Sequence, residues 1–328
     1  MMGRRFEAPA PGQPNPAGAP TLVSNAMHAH RRHPEDKAMN YRSIFRQSLF
    51  EDRVVVVTGG GSGIGRCIAH ELVSLGAAVA IVGRKLDKLE RVAGEIREQG
   101  GTVSAHVCDI REEPAVRDTV SAILEAHGRI DGLVNNAGGQ FPSPLELISG
   151  KGWDAVVRNN LSGGFLFSRE CYTQWMRQHV GEAQCGIVNI IADMWNGMPG
   201  MAHSGAARAG MLNLTETAAL EWAPLRINAV APGIIASSGM DRYPPEHKPV
   251  ILAAASTIPL RRLGTESEVS AAVVFLLSPA AAFISGACLR VDGAGPNARR
   301  MWPRVGGKPN EAFNGFHLAE LPAILRGN

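Results

Sequence analysis

Ser204 and Arg208 are the polar residues of the stretch HSGAARAG, in which every residue after His203 except these two is small and apolar. Their spacing of four residues places both side chains on one face of a helix, about one turn apart. A hydroxyl and a permanently charged guanidinium can together stabilise an oxygen on which negative charge develops. In the alternative interpretation, Ser204 caps the start of the helix and Arg208 holds the ribose of a cofactor.

The elements that must position this pair alternate along the chain between residues 52 and 293. Helical patterns cover about 113–127, 153–179, 204–222 and 266–277, and they separate short runs rich in apolar residues. Near-continuous apolar strands of this kind form a parallel sheet that is covered on both faces. We therefore predict an α/β fold with a doubly wound, seven-stranded Rossmann sheet in one domain over 39–293. The seven predicted strands lie in RVVVVTGG, AAVAIVGR, TVSAHVCDI, IDGLVNNAGG, GIVNIIA, RINAVAPG and ACLRVDG.

The composition excludes several classes of protein. A formal net charge of +3 over 328 residues does not indicate a nucleic-acid-binding protein. No apolar run approaches the roughly 20 residues of a membrane span. The five cysteines are odd in number and form no C-x-x-C pair, so they indicate reduced thiols rather than a disulfide framework or a metal site. These features predict a cytoplasmic protein that binds no metal, nucleic acid or membrane.

The two ends of the chain differ from its middle. Residues 1–38 are rich in proline, alanine and charge, which predicts a disordered extension, with Met39 as the expected start of the protein. Residues 294–328 are punctuated by glycine and proline, which predicts an irregular extension over the surface. Basic side chains in that extension, Arg299, Arg300 and Arg304 among them, are expected to be solvated rather than to bind phosphate.

A glycine-rich loop follows the first predicted strand and opens a helix. Gly59, Gly63 and Gly65 stand in VVVVTGGGSGIG, where glycine lets the backbone turn sharply and approach a pyrophosphate. The helix start then offers unpaired N–H groups to the phosphates. The alternative is a tight turn that binds no ligand.

The end of the second strand predicts which dinucleotide is bound. NAD-binding folds place an acidic residue there to hold the ribose 2′-hydroxyl. This chain instead has Gly83, Arg84 and Lys85, and Arg84 can form a bidentate contact with a 2′-phosphate. We therefore expect NADP(H), although Arg84 at a helix start can also be only solvated. Asp109, after the third strand, is placed either to meet the adenine amino group or to cap the next helix.

These motifs resemble the short-chain dehydrogenase/reductase family over about residues 50–293. The resemblance rests on TGGGSGIG, NNAG, NNLSGGF, IVNII, APG and VDG. It implies a nicotinamide cofactor and a homotetramer or homodimer built by the helices at 153–179 and 204–222. The positions expected to contact the cofactor are Thr58, Gly59, Ser62, Gly63, Ile64, Gly65, Arg84, Asp109, Asn135, Ala137, Gly138, Arg208, Pro232, Gly233 and Ile235.

The family's catalytic set of Asn, Ser, Tyr and Lys is largely replaced. Asn160 matches the Asn, but Ala192, Ser204 and Arg208 stand at the Ser, Tyr and Lys positions. A serine hydroxyl is far less acidic than a phenol, so Ser204 does not replace Tyr as a proton donor. Arg208 stays charged and supplies fixed positive charge without relaying a proton. The set therefore argues against ordinary carbonyl reduction.

A narrower resemblance fits these replacements. NNAGGQFPSP and HSGAARAG are similar to peroxisomal-type trans-2-enoyl-CoA reductases and, more distantly, to 2,4-dienoyl-CoA reductases, which pair Ser with Lys at the positions of Ser204 and Arg208. The resemblance implies NADPH-dependent reduction of a C=C bond conjugated to an acyl-CoA thioester. Ser204, Arg208 and backbone N–H groups near 138–140 are then expected to stabilise the enolate oxygen.

The proton source for such a reaction stays open. Asp193 stands where dienoyl-CoA reductases have a Tyr, and it acts as an acid only if burial raises its pKa. His203 and Tyr243 are further candidates, the latter in a 237–258 insertion interpreted as a substrate lid. Two other functions also stay open: an alcohol or aldehyde dehydrogenase, for example on a branched terpenoid alcohol, and a non-catalytic NADP-binding protein.

Overall fold

A computed structural model describes residues 40–181, 184–243, 246, 248–298 and 308–326. The predicted disordered extension at 1–38 lies outside the described residues, as do Arg299, Arg300 and Arg304. No helix within the described ranges is long and apolar enough to cross a membrane. The same ranges contain no group of three or more His, Cys, Asp or Glu side chains arranged to hold a metal ion.

Seven parallel strands form a single sheet, as predicted. The strands are β1 (Val54–Thr58), β2 (Ala78–Gly83), β3 (Val103–Val107), β4 (Gly132–Asn135), β5 (Gly186–Ile190), β6 (Arg226–Pro232) and β7 (Cys288–Val291). Their spatial order is β3-β2-β1-β4-β5-β6-β7. The order reverses between β1 and β4, where Val56 pairs with Leu133. A crevice at the carboxyl ends of the strands at such a reversal is where doubly wound folds bind ligands.

Helices cover both faces of the sheet. They are α1 (Gly63–Ser74), α2 (Leu86–Glu98), α3 (Glu113–His127), α4 (Gly150–Val157), α5 (Gly163–Cys171), α6 (Arg177–His179), α7 (Ala202–Glu221), α8 (Lys248–Thr257) and α9 (Glu266–Leu277). Helices α3 and α9 have the predicted bounds. The predicted 204–222 helix begins two residues earlier, and the helix expected at 153–179 begins at Gly150. That last helix is interrupted by two π-helical turns, Arg158–Ser162 and Tyr172–Met176.

The strands divide their side chains between two cores. Along β1, Val55 and Val57 point into a core with α1 and α9, whereas Val56 points into a core with α3 and α5. All three valines are fully buried, since side chains alternate across a strand and both faces are covered. This double burial explains why the strands read as continuous apolar runs in the sequence.

The C-terminal segment, defined as residues 308–326, runs across α1 and α9. Phe316 is buried, stacks on Tyr41 with ring centroids 5.9 Å apart, and lies under the guanidinium of Arg66. Ile324 and Leu325 are buried with Met240 of the 237–258 insertion. The segment has one short 3₁₀ turn, Ala323–Leu325, and is otherwise irregular. The domain boundary at 293 stays a prediction.

Candidate active site

The phosphate loop has the backbone geometry that its glycines were expected to supply. Gly59 and Gly63 have φ values of +69° and +59°, in the left-handed region that favours glycine. A Cβ atom on Gly65 would collide with the carbonyl oxygen of Gly59. Helix α1 begins at Gly63, and the Ser62 hydroxyl makes no capping hydrogen bond. The first N–H groups of α1 are thus available to an anion, and Ile64 lies in this first turn.

Thr58 fixes this loop to the end of β4. Its Oγ1 donates to the carbonyl oxygen of Val134 and accepts from the N–H groups of Asn136 and Ala137, each at 3.0 Å. The Asn136 side chain donates back to the Thr58 carbonyl oxygen. Asn136 was not among the predicted site residues, although NNAG contains it. The hydroxyl of Thr58 is therefore used to hold the loop.

Asn135 lies beneath the crevice rather than at its surface. Its Nδ2 donates to Ser168 Oγ and to Asn189 Oδ1, both at 2.8 Å, and the side chain is buried. Asn189 in turn donates to Thr215 Oγ1. This network joins β4 and β5 to α5 and α7. Direct contact between Asn135 and the cofactor stays a prediction.

Arg84 and Asp109 lie where the adenosine end of a dinucleotide is expected. Arg84 is exposed after β2, and its charge is one of the influences that lower the pKa of Asp109. Both Asp109 oxygens accept from the Arg111 guanidinium, and these hydrogen bonds are the largest cause of its pKa of about 2. The alternative in which Asp109 caps α3 is wrong, because the N-cap residue is Glu112.

The loop after β6 closes the other side of the crevice. β6 ends at Pro232, and the N–H of Gly233 donates to the Val291 carbonyl oxygen at 2.9 Å. A Cβ atom on Gly233 would lie 2.8 Å from the Cα of Asp292, so a larger residue does not fit there. Ile235 is buried and bridges to Gly264. These residues lead directly into the 237–258 insertion.

Ser204 is buried in the first turn of α7 and is bound to the side chain of Gln140, of which only the backbone N–H was expected to take part. Its Oγ donates to Gln140 Oε1 at 2.6 Å. Its N–H donates to His203 Nδ1 at 2.9 Å. The interpretation of Ser204 as a helix cap is wrong, because the N-cap residue is Met201. The Gln140 amide Nε2 lies 3.5 Å from Tyr243 Oη, which brings the insertion to the site.

Arg208 is a buried cation beside the 138–140 turn. Its Nη1 donates to the Ile190 carbonyl oxygen at 2.6 Å, and its Nε has no hydrogen-bond partner among the described residues. A Cβ atom on Gly138 would collide with Arg208 Nη2 and with Asn160 Oδ1. Burial lowers the pKa of Arg208 to about 10, so the guanidinium is still charged at neutral pH. In the described part of the chain, no carboxylate forms an ion pair with it.

Asn160 holds the 138–140 turn against Arg208. It is buried in the first π-helical turn, and its Oδ1 accepts from the Gly139 N–H at 3.0 Å. Its Nδ2 donates to the Gly139 carbonyl oxygen at 2.8 Å. The Gly139 N–H is therefore committed to Asn160. Of the expected backbone donors in this turn, only those of Gly138 and Gln140 are not used by Asn160.

The candidate proton donors lie at different edges of the site. The pKa of Asp193 is raised by burial and by Asp292, while Arg290 opposes the shift. Among the described residues, Asp193 Oδ1 has no hydrogen-bond partner, and no hydrogen bond joins the Asp193 side chain to Ser204 or Arg208. The structure thus brings Ser204, Arg208 and Asn160 to the Gly138 turn and leaves Asp193 beside the end of β7.

His203 completes the wall behind Ser204. It is fully buried, its Nε2 has no hydrogen-bond partner among the described residues, and its ring meets the Phe141 ring edge-on at 4.6 Å. Because Nδ1 accepts from Ser204, neutral His203 carries its proton on Nε2.

These residues fit a nicotinamide dinucleotide. A Cβ atom at Gly65 or Gly138 would collide with neighbouring protein atoms, so only glycine lets these segments lie so close. The start of α1 and Arg208 Nε offer donors that no group among the described residues accepts from. Donors directed into a crevice at the reversal of strand order suit an anionic dinucleotide and its ribose hydroxyls.

The chain matches the family model described as enoyl-(acyl carrier protein) reductase over residues 59–294. It belongs to this family of short-chain dehydrogenases/reductases and is an oxidoreductase of the family that uses a nicotinamide cofactor. The resemblance to enoyl-CoA and dienoyl-CoA reductases is also confirmed.

Two curated relatives of this chain are named as 2,4-dienoyl-CoA reductases. A probable 2,4-dienoyl-CoA reductase of Bacillus subtilis (strain 168) is 37% identical over 247 residues, which are 74% of this chain and 96% of that protein. A peroxisomal 2,4-dienoyl-CoA reductase of Danio rerio is 34% identical over 287 residues, covering 84% and 92%.

A solved structure is more similar in sequence. The citronellol catabolism dehydrogenase (AtuB) of Pseudomonas aeruginosa PAO1 is 56% identical, with a TM-score of 0.69. The match covers 78% of this chain and all of that one.

Proposed function

We propose that the protein reduces a C=C bond conjugated to an acyl-CoA thioester, with NADPH as the reductant. The observation that carries this proposal is the buried Arg208 guanidinium, which has no carboxylate partner in the described part of the chain and lies against Gly138. Uncompensated positive charge in a buried site stabilises an oxygen that becomes negative during the reaction. Hydride addition to Cβ of an enoyl thioester creates such an oxygen.

Bound NADPH supplies the hydride, and the residues of the chain act on the rest of the substrate. Arg208 directs positive charge at the thioester oxygen, and Asn160 keeps the 138–140 turn in place through its two bonds to Gly139. The N–H groups of Gly138 and Gln140 are the further backbone donors. The enolate is then protonated at Cα.

Ser204 contributes only after its hydrogen bond changes. Its proton is donated to Gln140 Oε1, so Ser204 donates to a substrate oxygen only when that bond breaks. Gln140 is exposed, and substrate entering the crevice can therefore displace its amide. Arg208 is in place before substrate binds, and we assign it the larger share of the stabilisation.

Asp193 is the proposed proton donor for Cα. Burial and the neighbouring charge of Asp292 raise its pKa, which keeps the acid protonated to higher pH. Within the described part of the chain its Oδ1 has no hydrogen-bond partner, which is consistent with a group that contacts a substrate.

Arg84 supports the choice of NADPH. It is exposed directly after β2, where the 2′-phosphate of the cofactor is expected, and its positive charge helps to lower the pKa of Asp109, which follows β3. A 2′-phosphate is a strong partner for a guanidinium.

The similarity to the citronellol catabolism dehydrogenase favours a second candidate function. That protein matches along its whole length at 56% identity, higher than the identities to the two dienoyl-CoA reductases. The second candidate is oxidation of a branched terpenoid alcohol with NADP. It requires a proton acceptor for the hydroxyl, which neither Ser204 nor Arg208 supplies.

One experiment separates the candidates. Purified protein is incubated with NADPH and crotonyl-CoA, longer 2-enoyl-CoAs and 2,4-dienoyl-CoAs, and in parallel with NADP and citronellol, geraniol and linear alcohols. Thioester-dependent loss of the reduced-nicotinamide absorbance supports the first candidate, and alcohol-dependent gain supports the second. Tight NADPH binding without turnover indicates a non-catalytic NADP-binding protein and contradicts both.

We further propose a cytoplasmic homotetramer or homodimer. Phe165 on α5 and Leu220 on α7 are exposed apolar side chains on the helices expected to build the interface. Sedimentation of the purified protein tests the assembly, and fractionation of cells tests the compartment.

A further inference from the structure

Glu266, the first residue of α9, faces the phosphate loop. A Cβ atom on Gly63 would lie 3.7 Å from Glu266 Oε1 and 3.4 Å from Ser238 Oγ. Gly63 is the residue at which the loop becomes helix α1. The carboxyl group therefore borders the place where a helix start and a glycine loop bind a pyrophosphate.

A negative charge at this position has no close ion-pair partner. Among the described residues no ion pair includes Glu266. The cation that faces it is Arg66 on α1, but the Nε of Arg66 is held by Glu95 at 2.7 Å. A carboxylate without an ion-pair partner would repel the phosphates that this loop binds, so its position beside the loop needs a further explanation.

The other groups around Glu266 do not neutralise it either. Cys67 on α1 is buried, and burial together with Glu266 raises the pKa of its thiol. Glu320 of the C-terminal segment adds negative charge, and the Ser238 backbone N–H donates to the carboxyl group. Burial is the largest influence, and the pKa of Glu266 is raised to about 7.

We propose that Glu266 belongs to the cofactor-phosphate site and holds a proton whenever the dinucleotide is bound there. The phosphates bring negative charge to the loop, and a carboxylate at its border would repel them. A neutral carboxyl group does not repel them and can donate its O–H. One proton passes from solvent to the carboxylate as the cofactor binds, and no other bond changes. The proposal rests on dinucleotide binding by the family and not on the choice of substrate.

The sign of the pH dependence follows from this coupling. Binding of the dinucleotide raises the pKa of Glu266 further, so protonated protein binds more tightly than deprotonated protein. The affinity is highest below about pH 7 and falls as the pH rises through the pKa of the free protein. A neutral side chain at position 266 removes this part of the dependence.

Binding measurements test the proposal without any substrate turnover. NADPH is titrated into the wild type and Glu266→Gln by calorimetry and by nicotinamide fluorescence between about pH 6 and about pH 8.5, a window that brackets the pKa. The 2′-phosphate also titrates near pH 6, so the two proteins are compared at each pH. We expect the Kd of the wild type to rise at least about threefold more than that of Glu266→Gln.

Proton uptake gives a second readout. Calorimetry in two buffers with different ionisation heats should show that the wild type takes up more protons on binding than Glu266→Gln does. Glu125→Gln, an exposed carboxylate on α3, is the matched control and should keep the wild-type profile. If Glu266→Gln does not fold, Glu266→Ala is used instead. Equal pH profiles and equal proton uptake would overturn the proposal, whereas absent enoyl-CoA reduction would not affect it.

Discussion

Ser204 Oγ donates a 2.6 Å hydrogen bond to Gln140 Oε1, although Ser204 is fully buried and Gln140 is exposed. The bond joins the start of α7 to the turn that Asn160 holds. It means that the residue at the position of the family's Tyr is engaged before any substrate arrives.

A double-mutant cycle measures this bond. Gln140→Ala leaves a buried hydroxyl without its acceptor, so we expect a loss of about 1 kcal/mol in the free energy of unfolding. Ser204→Ala in the Gln140→Ala background should cost less than in the wild type, with a coupling of about 0.5–1.5 kcal/mol. Urea denaturation of the four proteins gives the values. Strictly additive losses would show that the bond contributes nothing.

Removal of the buried cation should impair catalysis more than cofactor binding. Arg208→Ala is expected to lower kcat with an enoyl-CoA by about 10²–10³, the usual cost of one oxyanion donor. Arg208→Lys keeps the charge and should lose less, but its activity should fall as the pH rises, since burial lowers the pKa of a lysine. An unchanged kcat in Arg208→Ala would show that Arg208 has only a structural role.

The positive charge of Arg84, directly after β2, should determine whether the protein binds NADPH more tightly than NADH. We expect Arg84→Ala to raise the Kd for NADPH at least about tenfold, a loss of about 1.4 kcal/mol, while the Kd for NADH changes little. Arg97→Ala, at the far end of α2, is the control and should leave both Kd values unchanged. The measurement is nicotinamide fluorescence at a fixed salt concentration, and parallel losses for both cofactors would contradict a 2′-phosphate contact.

Glu266 should also affect the stability of the cofactor-free protein. Its pKa is about 7 in the folded protein and near its ordinary 4.5 when unfolded. As the pH rises, the side chain therefore loses its proton at a lower pH in the unfolded chain than in the folded protein. The stabilisation from the neutral form is complete below about pH 4.5 and is lost as the pH rises through 7. Glu266→Gln should therefore be more stable than the wild type near pH 8, by on the order of 1–3 kcal/mol, and equally stable near pH 4.5. Thermal melts at the two pH values check both parts.

The C-terminal segment should stabilise the whole fold. Phe316 is 2% exposed, whereas Phe283 is fully exposed. Phe316→Ala is expected to lower the free energy of unfolding by about 3–5 kcal/mol, and Phe283→Ala by less than about 0.5 kcal/mol. Chemical denaturation measures both. A small loss in Phe316→Ala would mean that the segment is only loosely held.

The sheet and most helix bounds were predictable because the strands are buried on both faces and the helices keep a regular apolar period. The π-helical turn that carries Asn160 was not predictable, since NNLSGGF has no residue that prevents an ordinary α-helix. The phosphate loop was predictable because the positive φ values of Gly59 and Gly63 favour glycine and because a Cβ atom on Gly65 would collide with Gly59.

Contacts between residues that are distant in sequence could not be predicted, and the reason is physical. The contact between Gln140 and Ser204 joins two elements that are distant in sequence, and each residue alone is an ordinary polar side chain. Glu266 gave no signal either, because an acidic residue in the first turn of a helix is common. Besides burial, the pKa of Glu266 responds to groups on three separate elements, Arg66 on α1, Ser238 of the 237–258 insertion and Glu320 of the C-terminal segment.

The stacking of Phe316 on Tyr41 has a consequence for the synthesis of the protein. All seven strands of the sheet lie between these two residues in sequence, so their contact is highly non-local. Ribosomes release the chain from its N-terminal end, and domains fold as their residues emerge. The outer surface of α1 can therefore be covered only after Phe316 has left the ribosome, and until then Tyr41, Cys67 and His70 are accessible to chaperones and to solvent.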